Sequence, residues 1–238
     1  MCKHSISIII PVLNEASTIE VLLTYLSQKA TATNISEISV IDGGSEDETM
    51  TLVHEFSKKA RIPIYVIPSE KGRAKQMNLG AETSQGSILY FLHADSNPPQ
   101  DFDTLIISEV KKQNLAGCFK MKFESNHWWL RLASWGTHLK WRACRGGDQS
   151  QFITKDLFDE IGGFNEQYTI YEDNILINEL YKRKQFVVIQ EWIGTSARLY
   201  EKKGVWKLQY RFWMIYLKKW LGADSEALYS YYKKHISS

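Results

Sequence analysis

The chain is poor in cysteine, and the few cysteines that it has are not clustered. Cys2, Cys118 and Cys144 form no CxxC pair, and their odd number prevents complete pairing. Disulfide frameworks use even sets of cysteines, and cysteine zinc sites use close spacings. The pattern therefore argues against both kinds of site and favours a reducing cytoplasm.

Long apolar segments and targeting segments are also missing. No stretch reaches the roughly 18 uninterrupted apolar residues of a membrane-spanning helix, so no segment is expected to cross a membrane unaided. The N-terminal Met-Cys-Lys-His-Ser leads directly into strand-like Ile6–Ile10, without the charged, apolar and cleavage regions of a signal peptide. Internal repeats and low-complexity segments are absent. We therefore expect a cytoplasmic protein.

The length of 238 residues, with 44% hydrophobic and 24% charged residues, suits an ordinary globular protein of one sizeable domain or two small ones. The net charge of +2 conceals an asymmetry. Residues 197–238 contain nine Lys/Arg and three Asp/Glu, which leaves 20 basic and 24 acidic residues in 1–196. All eight tryptophans lie between Trp128 and Trp220. This split predicts two functional parts, with a basic tail that faces something anionic.

Strand and helix patterns alternate through the first half of the chain. Short connections between them predict a parallel, doubly wound α/β sheet. Predicted strands cover residues 5–12, 35–41, 62–67, 87–92, 116–124, 150–154 and 186–190, and predicted helices follow Asn14 and cover about 48–59, 71–82, 102–112, 126–142, 155–162, 172–183 and 205–221.

Polar residues follow the first two predicted strands, where an open parallel sheet binds its ligands. After Pro11, Asn14 and Glu15 present acceptors for a base or a sugar, and the alternative is a plain helix N-cap. Asp42, with Gly44 nearby to permit close backbone approach, suits an imide or a ribose hydroxyl, and the alternative is a turn. The GxGxxG fingerprint is missing after the first strand, which disfavours a dinucleotide-dependent dehydrogenase.

Two further constellations favour a phosphate and a cation. Lys71, Arg73 and Lys75 surround a glycine at a helix start, which suits a diphosphate, although a solvated basic face would look the same. His93 and Asp95 follow the fourth strand. Asp95 is a hard oxygen ligand appropriate for magnesium or manganese, and the alternative is a turn before Pro98-Pro99.

Four ordered segments carry a family resemblance: Pro-Val-Leu-Asn-Glu, Ile-Asp-Gly-Gly-Ser-Glu-Asp-Glu-Thr, Gly-Arg-Ala-Lys-Gln-Met-Asn-Leu-Gly-Ala and Phe-Leu-His-Ala-Asp. Over residues 5–188 the chain resembles the family 2 glycosyltransferases, which have the α/β GT-A fold, a Rossmann-like mixed sheet flanked by helices. The third and fourth segments are similar to the subgroup called arsenosugar-biosynthesis-associated glycosyltransferases. The resemblance implies inverting transfer from a nucleotide-sugar, specifically a UDP-sugar, with Mg²⁺ or Mn²⁺.

The resemblance also implies roles for individual residues. Pro11 and Glu15 would line the nucleoside pocket, Asp42 would accept from the uracil imide, and Arg73 would face the base or the diphosphate. His93 stands where the first Asp of the family's Asp-x-Asp pattern is usual, so the ribose contact loses its carboxylate, while Asp95 would hold the metal. The residues expected to bind the nucleotide-sugar are Pro11, Asn14, Glu15, Asp42, Gly44, Arg73, His93 and Ala94.

Glu172 and Asp173 match the Glu-Asp pair from which the family draws its catalytic carboxylate, and Asp173 is the predicted base. The acceptor hydroxyl must lose a proton as it attacks the anomeric carbon, which a carboxylate within hydrogen-bond reach can take. The alternative is two acidic residues that complement a helix dipole. Asp148 and Gln149 also match the subgroup and are expected near the acceptor or the sugar.

We therefore predict a GT-A domain over residues 1–196, with a nucleotide-sugar half (1–98) and an acceptor and catalytic half (99–196), followed by a helical extension (197–238). In the extension one helical face carries apolar residues and another carries basic ones. The apolar face contains Trp206, Tyr210, Trp213, Met214, Leu217, Trp220 and Leu221, and the basic face contains Lys207, Arg211 and Lys218. Such a helix either lies on an anionic membrane surface or packs on the domain or in a dimer.

The hydroxyl acceptor stays open between a small molecule, a glycan and a lipid-linked group. The principal alternative is a catalytically idle protein that keeps the fold as a nucleotide-sugar-binding or scaffold protein. No nucleic-acid motif accompanies the basic tail, so no nucleic-acid partner is expected.

Overall fold

A computed structural model describes residues 4–237, so that Cys2 lies outside the described residues. The strands are β1 (Ile6–Val12), β2 (Ile35–Asp42), β3 (Ile64–Pro68), β4 (Ile88–Phe91), β5 (Ser96–Asn97), β6 (Ala116–Phe123), β7 (Gln151–Thr154) and β8 (Phe186–Thr195). The helices are α1 (Ile19–Lys29), α2 (Thr49–Ser57), α3 (Arg73–Thr83), α4 (Phe102–Lys111), α5 (Trp128–Gly136), α6 (Lys155–Ile161), α7 (Glu172–Lys182), α8 (Arg198–Lys203), α9 (Val205–Trp220) and α10 (Ser225–Tyr232). Short 3-10 turns at Arg142–Cys144 and Gly147–Gln149 precede β7, and a π-helical turn at Lys233–Ser237 ends the described chain.

The eight strands form one mixed sheet in the order β3-β2-β1-β4-β7-β6-β8-β5. The first four strands are parallel, as predicted. The prediction of a parallel sheet is wrong beyond β4, because β7 runs antiparallel to both β4 and β6. The segment between β6 and β7, which contains α5 and the 3-10 turns, stays at the edge of the sheet where β6 ends. The chain therefore enters β7 from that edge and runs back antiparallel to β6. The mixed sheet implied by the family resemblance is confirmed.

Helices cover both faces of the sheet, which explains why its central strands are apolar along their whole length. One face buries Ile6, Ile8 and Ile10 beneath a layer that includes α1 and α4, and the other face buries Ile9 beneath α3, α6 and α7. Full burial of a side chain of this kind contributes about 1.5–3 kcal/mol relative to exposure. The sheet is therefore a rigid base for the loops at its edge.

The predicted helix over residues 126–142 is shorter in the structure, where α5 ends at Gly136. The buried guanidinium of Arg145 explains the early end, because it donates hydrogen bonds to the carbonyl oxygens of Thr137 (2.5 Å) and Leu139 (2.7 Å). In a longer helix these carbonyl oxygens would accept from backbone N–H groups instead. Arg145 thus shapes the loop that leads to β7.

The helical extension packs on the sheet domain through a small apolar cluster of its own. Leu208, Ile215 and Leu228 are buried there, against Tyr168 and Tyr171 in the loop before α7. The predicted helix over 205–221 is confirmed as α9, whereas α8 and α10 were not predicted. Among residues 4–237, no helix combines the length and apolarity that crossing a bilayer requires.

Candidate functional site

All but one of the residues predicted for the site lie at one edge of the sheet, whereas the side chain of Gln149 lies apart from it. Because β1, β2 and β4 are parallel neighbours, the segments that follow them open at the same edge. The first turns of α3 and α7 and the turn Gly147–Gln149 reach this edge from the sides. Elements far apart in sequence thereby bring together Glu15, Asp42, Arg73, His93, Asp95, Asp148, Glu172 and Asp173.

The loops after β1 and β2 are bound to each other. The Asn14 backbone N–H donates to the Ser45 hydroxyl (2.9 Å), and Asn14 Oδ1 accepts from the Glu46 N–H (2.8 Å). Asp42 Oδ1 accepts from the Ser45 N–H (3.0 Å) and hydroxyl (2.7 Å). Gly44 supports this turn with a φ of 92°, a left-handed conformation that favours glycine. Asn14 therefore shapes the loop, and Asp42 is held with one oxygen engaged.

Two predicted residues lie within the strand framework itself. Pro11 is a residue of β1 and is paired with Ile41 of β2. Ala94 is buried at the end of the segment that follows β4. The side chains of Pro11 and Ala94 are apolar, so these residues can offer a ligand only backbone groups at the edge of the sheet.

The guanidinium of Arg198 and three carboxylates lie close together at this edge of the sheet; the carboxylates belong to Glu15, Asp95 and Asp148. Glu15 Oε2 accepts from the Thr18 hydroxyl (2.9 Å) and lies 3.5 Å from Arg198 Nη2. Burial raises the pKa of Asp95, and the negative charges of Asp148 and Glu15 raise it further, while Arg198 opposes them. Sequence analysis missed Arg198, which is 183 residues from Glu15 and whose only signal is its place at the start of the basic extension.

The oxygen donors at this point fit a divalent cation that also binds a phosphate. Carboxylate oxygens suit Mg²⁺ and Mn²⁺, and a phosphate-bridging Mg²⁺ typically uses one or two carboxylates plus substrate oxygens and water. Within residues 4–237, no group of three or more His, Cys, Asp and Glu side chains could hold a metal ion. Asp95 therefore suits a shared site that a diphosphate completes, and not a site made by the protein alone.

His93 is a neutral connector between β4 and the turn that carries Asp148. Its Nε2 lies 3.1 Å from the Gly147 carbonyl oxygen, so this nitrogen donates the hydrogen bond. Burial lowers the pKa of His93 to about 4, helped by the positive charge of Arg73. His93 is thus uncharged at neutral pH, and it cannot replace the negative charge of an aspartate at this position.

Glu172 is a nearly fully buried carboxyl at the first turn of α7. Its Oε1 lies 3.5 Å from Nη1 of the half-exposed Arg73, and it has no hydrogen-bond partner among the described residues. Burial raises the pKa of Glu172 to about 7; Arg73 opposes this rise and Asp173 adds to it. Glu172 is therefore a carboxyl that gains and loses its proton near neutral pH.

Asp173 is held in place by its neighbours. Its Oδ1 accepts from the backbone N–H (2.8 Å) and Nδ2 (3.0 Å) of Asn174, whose own Oδ1 accepts from Arg142 Nη2 (2.8 Å). The other oxygen lies against Gly147, where an added Cβ would be 2.5 Å from Oδ2. Asp173 also lines a narrow pocket, together with Arg73, Met77, Phe91, His93, Gly147, Gln151 and Phe164.

Gln149 lies away from this pocket. Its Oε1 accepts from Arg145 Nη1 (2.8 Å), and its Nε2 donates to the Cys144 carbonyl oxygen (2.7 Å). The side chain is buried, and it holds the turn in shape. Asp148 is exposed on the same turn and faces the carboxylate cluster.

The extension also reaches the first turn of α7. Tyr216 of α9 packs edge-on against Tyr171 with ring centroids 5.5 Å apart, and its hydroxyl hydrogen-bonds the Asn174 side chain. Tyr216 and Arg142 therefore support Asn174 from two sides, and neither carried a signal in the sequence. A larger depression of about 470 Å³ lies between α6 and α7 and is lined by none of the predicted site residues.

The sequence matches known families over most of its length. Residues 7–165 match the family model described as Glycosyl transferase family 2. Glycosyltransferase AglE of Haloferax volcanii is 34% identical over 98 residues, which are 41% of this chain and 32% of AglE. A PGL/p-HBAD biosynthesis glycosyltransferase of Mycobacterium bovis is 28% identical over 181 residues, 73% of this chain and 68% of that protein. The match thus spans about a third of AglE and about two thirds of the mycobacterial protein.

Solved structures share the fold at low sequence identity. The mannosyltransferase PcManGT from Pyrobaculum calidifontis, in complex with GDP-Man and Mn²⁺, superposes with a TM-score of 0.69 at 16% identity, over 99% of this chain and 68% of that chain. TarS 1–349 of S. aureus, in complex with UDP, superposes with a TM-score of 0.65 at 16% identity, over 81% of this chain and 60% of that chain. These neighbours are GT-A glycosyltransferases, so the fold described above is the GT-A fold.

The buried carboxyl of Glu172 makes stability depend on pH. Its pKa is raised from 4.5 to about 7 in the folded protein, so folding favours the protonated form. The free energy of unfolding therefore falls through this group as pH rises from about 4.5 to about 7, and the loss is complete above that range. We expect Glu172→Gln to raise Tm by several degrees at pH 8 and to leave it nearly unchanged at pH 4.5.

Thermal unfolding at the two pH values measures this difference. Glu226→Gln is the matched control, because Glu226 also lies in the first turn of a helix but is exposed. An equal change in Tm at both pH values would show that folding does not raise the pKa of Glu172.

Proposed function

Since this chain belongs to glycosyl transferase family 2, we propose that it transfers a sugar from a nucleotide-sugar donor to a hydroxyl acceptor, with inversion and with a divalent cation. The observation that carries this proposal is the convergence of Asp42, Arg73, Asp95 and Asp173 at one edge of the sheet. In this proposal Asp42 accepts a hydrogen bond from the base of the nucleotide, and Arg73 stabilises the charge of the diphosphate. Asp95 binds the metal ion, and Asp173 takes the proton of the attacking hydroxyl.

The proposed donor is a UDP-sugar. Asp42 is fixed by Ser45 through one oxygen, which leaves a carboxylate of defined orientation for the N–H of a uracil imide. Among the structural neighbours, TarS is in complex with UDP and with UDP-GlcNAc, whereas PcManGT is in complex with GDP-Man. A guanine nucleotide is therefore the second donor to test.

Asp95 would hold the divalent cation. When bound, the ion neutralises charge on the departing nucleoside diphosphate. Two arginines add fixed positive charge to the site: Arg198 acts on Asp95 and lies beside Glu15, and Arg73 lies beside Glu172 and acts on Asp148. The two arginines would stabilise the same diphosphate charge as the glycosidic bond breaks.

Asp173 is the proposed general base. The attacking acceptor hydroxyl passes its proton to Asp173 Oδ2, while Asn174 holds Oδ1 and so fixes the plane of the carboxylate. Glu172 is less suited to this task, because it is buried and partly protonated at neutral pH. One base is sufficient for an inverting transfer, so no nucleophilic side chain is required.

We also propose that the chain belongs to the arsenosugar-associated subgroup and acts in the cytoplasm. The proposed domain boundary lies between residues 196 and 197, and the two halves of the first domain divide at residue 98. The acceptor stays open between a small molecule, a glycan and a lipid-linked hydroxyl.

Donor binding is tested by thermal shift with UDP, GDP, dTDP, CDP and NAD, each with and without Mn²⁺. A ligand at about 100 times its Kd adds roughly 2.7 kcal/mol of stability, which corresponds to a shift of several degrees. We expect a shift with UDP that depends on Mn²⁺, and we expect Asp95→Asn to abolish it. Asp159→Asn, at an exposed carboxylate on α6, is the control. If no nucleotide shifts Tm, the catalytically idle alternative is favoured. If Asp95→Asn keeps the Mn²⁺-dependent shift in Tm, Asp95 does not bind the metal.

Asp173 and Gly147 are tested by kinetics with the donor that the thermal shifts identify. We expect Asp173→Asn to lower kcat by roughly 100-fold or more while donor affinity changes little. Gly147→Ala should lower kcat about tenfold, because its methyl group would displace Asp173 Oδ2. Gly146→Ala is the matched control, since its Cβ would meet nothing within 4 Å. A fall in donor affinity equal to the fall in kcat would instead make Asp173 a structural residue.

A further inference from the structure

Helix α9 is apolar on two opposite sides, and the sheet domain covers only one of them. Leu208 and Ile215 face inward and are buried. Trp206, Tyr210, Trp213, Leu217 and Trp220 repeat at intervals of four and three residues, which places them in one stripe. All five are exposed, together with the neighbouring Leu221. Packing on the domain therefore accounts for the inner side and leaves the aromatic stripe without a partner.

Helix α5 extends this stripe. Trp128, Leu132 and Trp135 also share one helical face and are also exposed. The two helices adjoin, because the rings of Trp128 and Trp206 lie 5.6 Å apart and those of Trp129 and Trp213 lie 5.7 Å apart. We call the combined surface the aromatic platform; its residues are Trp128, Leu132, Trp135, Trp206, Tyr210, Trp213, Leu217, Trp220 and Leu221.

The aromatic platform is unusually large for a protein surface. Its side chains have exposed fractions from 43% to 81%. With about 200 Å² for each fully exposed side chain, the apolar area is on the order of 1,000 Å². The largest apolar patch of a typical soluble monomer is about 300–600 Å², and larger patches mark sites of interaction.

The two helices that form most of the platform carry charge of one sign. Helices α5 and α9 contain no Asp or Glu, while their basic residues are Arg131, Lys207, Arg211, Lys218 and Lys219. Arg131 and Lys207 are exposed, and neither takes part in an ion pair within residues 4–237. Tryptophan and tyrosine prefer the boundary between lipid and water, and clustered Lys and Arg are attracted to anionic lipids.

We propose that the aromatic platform is a docking surface for an anionic lipid bilayer. The indole rings would lie at the level of the lipid headgroups, while the exposed Arg131 and Lys207 meet lipid phosphates. A symmetric dimer through the same surface would bring two copies of the exposed Arg131 and Lys207 together, which is unfavourable. The charge of the surface therefore favours a lipid partner over a second copy of the chain.

Docking would also orient the site. Trp129 Nε1 donates to Gln209 Oε1 (3.1 Å), which joins α5 to α9, and Tyr216 of α9 contacts the first turn of α7. The platform is thus held in one orientation relative to Asp173. The docking proposal rests on surface composition alone and does not depend on the proposed glycosyl transfer.

Vesicle co-sedimentation of the full chain tests the proposal. The vesicles contain phosphatidylcholine, either alone or with an equal amount of phosphatidylglycerol. We expect binding to the mixed vesicles that weakens as salt is added, and little binding to phosphatidylcholine alone. The double variant Leu217→Ala/Trp220→Ala should bind about tenfold or more weakly, because it removes exposed apolar area and leaves Leu208 and Ile215 in place. Lys207→Gln should weaken binding about fivefold.

Tyr65→Ala is the matched control, because Tyr65 is an exposed aromatic residue on β3, at the opposite end of the sheet. It should bind like the unmodified chain, and an unchanged Tm verifies the fold of every variant. The proposal is overturned if the chain ignores anionic vesicles or if the double variant binds them equally well. It is also overturned if the unmodified chain does not bind vesicles and sedimentation velocity shows that it is a dimer, whereas the double variant is a monomer.

Discussion

The parallel hydrogen-bond ladder between β1, β2 and β4 is the constraint on which the remaining site geometry depends. Its register places Val12 opposite Asp42 and Ile9 opposite Phe91, so these strands reach the same edge of the sheet. The backbone pairs are buried between two layers of helices, where a shift of register would expose apolar side chains on both faces. The positions of Glu15, Asp42 and Asp95 thus follow from the packing of apolar strands that carry no chemistry themselves.

The part of the site formed by the turn at Gly147 and by Asp173 depends on buried polar groups and not on hydrogen bonds between strands. Arg145 is buried with no carboxylate partner among residues 4–237, and it is compensated by carbonyl oxygens and by Gln149. A buried cation is tolerated only where its donors are met in this way. The resulting turn places Gly147 between His93 and Asp173, with a separation that leaves no room for a side chain. The same network that ends α5 early therefore also sets the distance between the two halves of the site.

Two of the acidic side chains at the edge of the sheet are each paired with an arginine from a distant part of the chain. Glu15 lies beside Arg198, and Glu172 lies beside Arg73. Burial raises the pKa of Asp95 above its usual value, and the negative charges of Asp148 and Glu15 raise it further, which suits a site that gains a cation. The extension supplies Arg198 and Tyr216 to this arrangement, so it is part of the site as well as the carrier of the aromatic platform.

The local patterns could be predicted from the order of the residues: the buried strands with polar residues after them, the family to which the four segments belong, and the amphipathic helix α9. These are recoverable because strand runs, helical stripes and short motifs are properties of neighbouring residues. Only the tertiary structure decided that β7 runs antiparallel, that Gln149 faces inward, that Arg198 meets Glu15, and that the tryptophan stripe of α9 faces outward. Each of these depends on contacts between residues far apart in the chain, and no local pattern records which of two apolar helix faces the domain will bury.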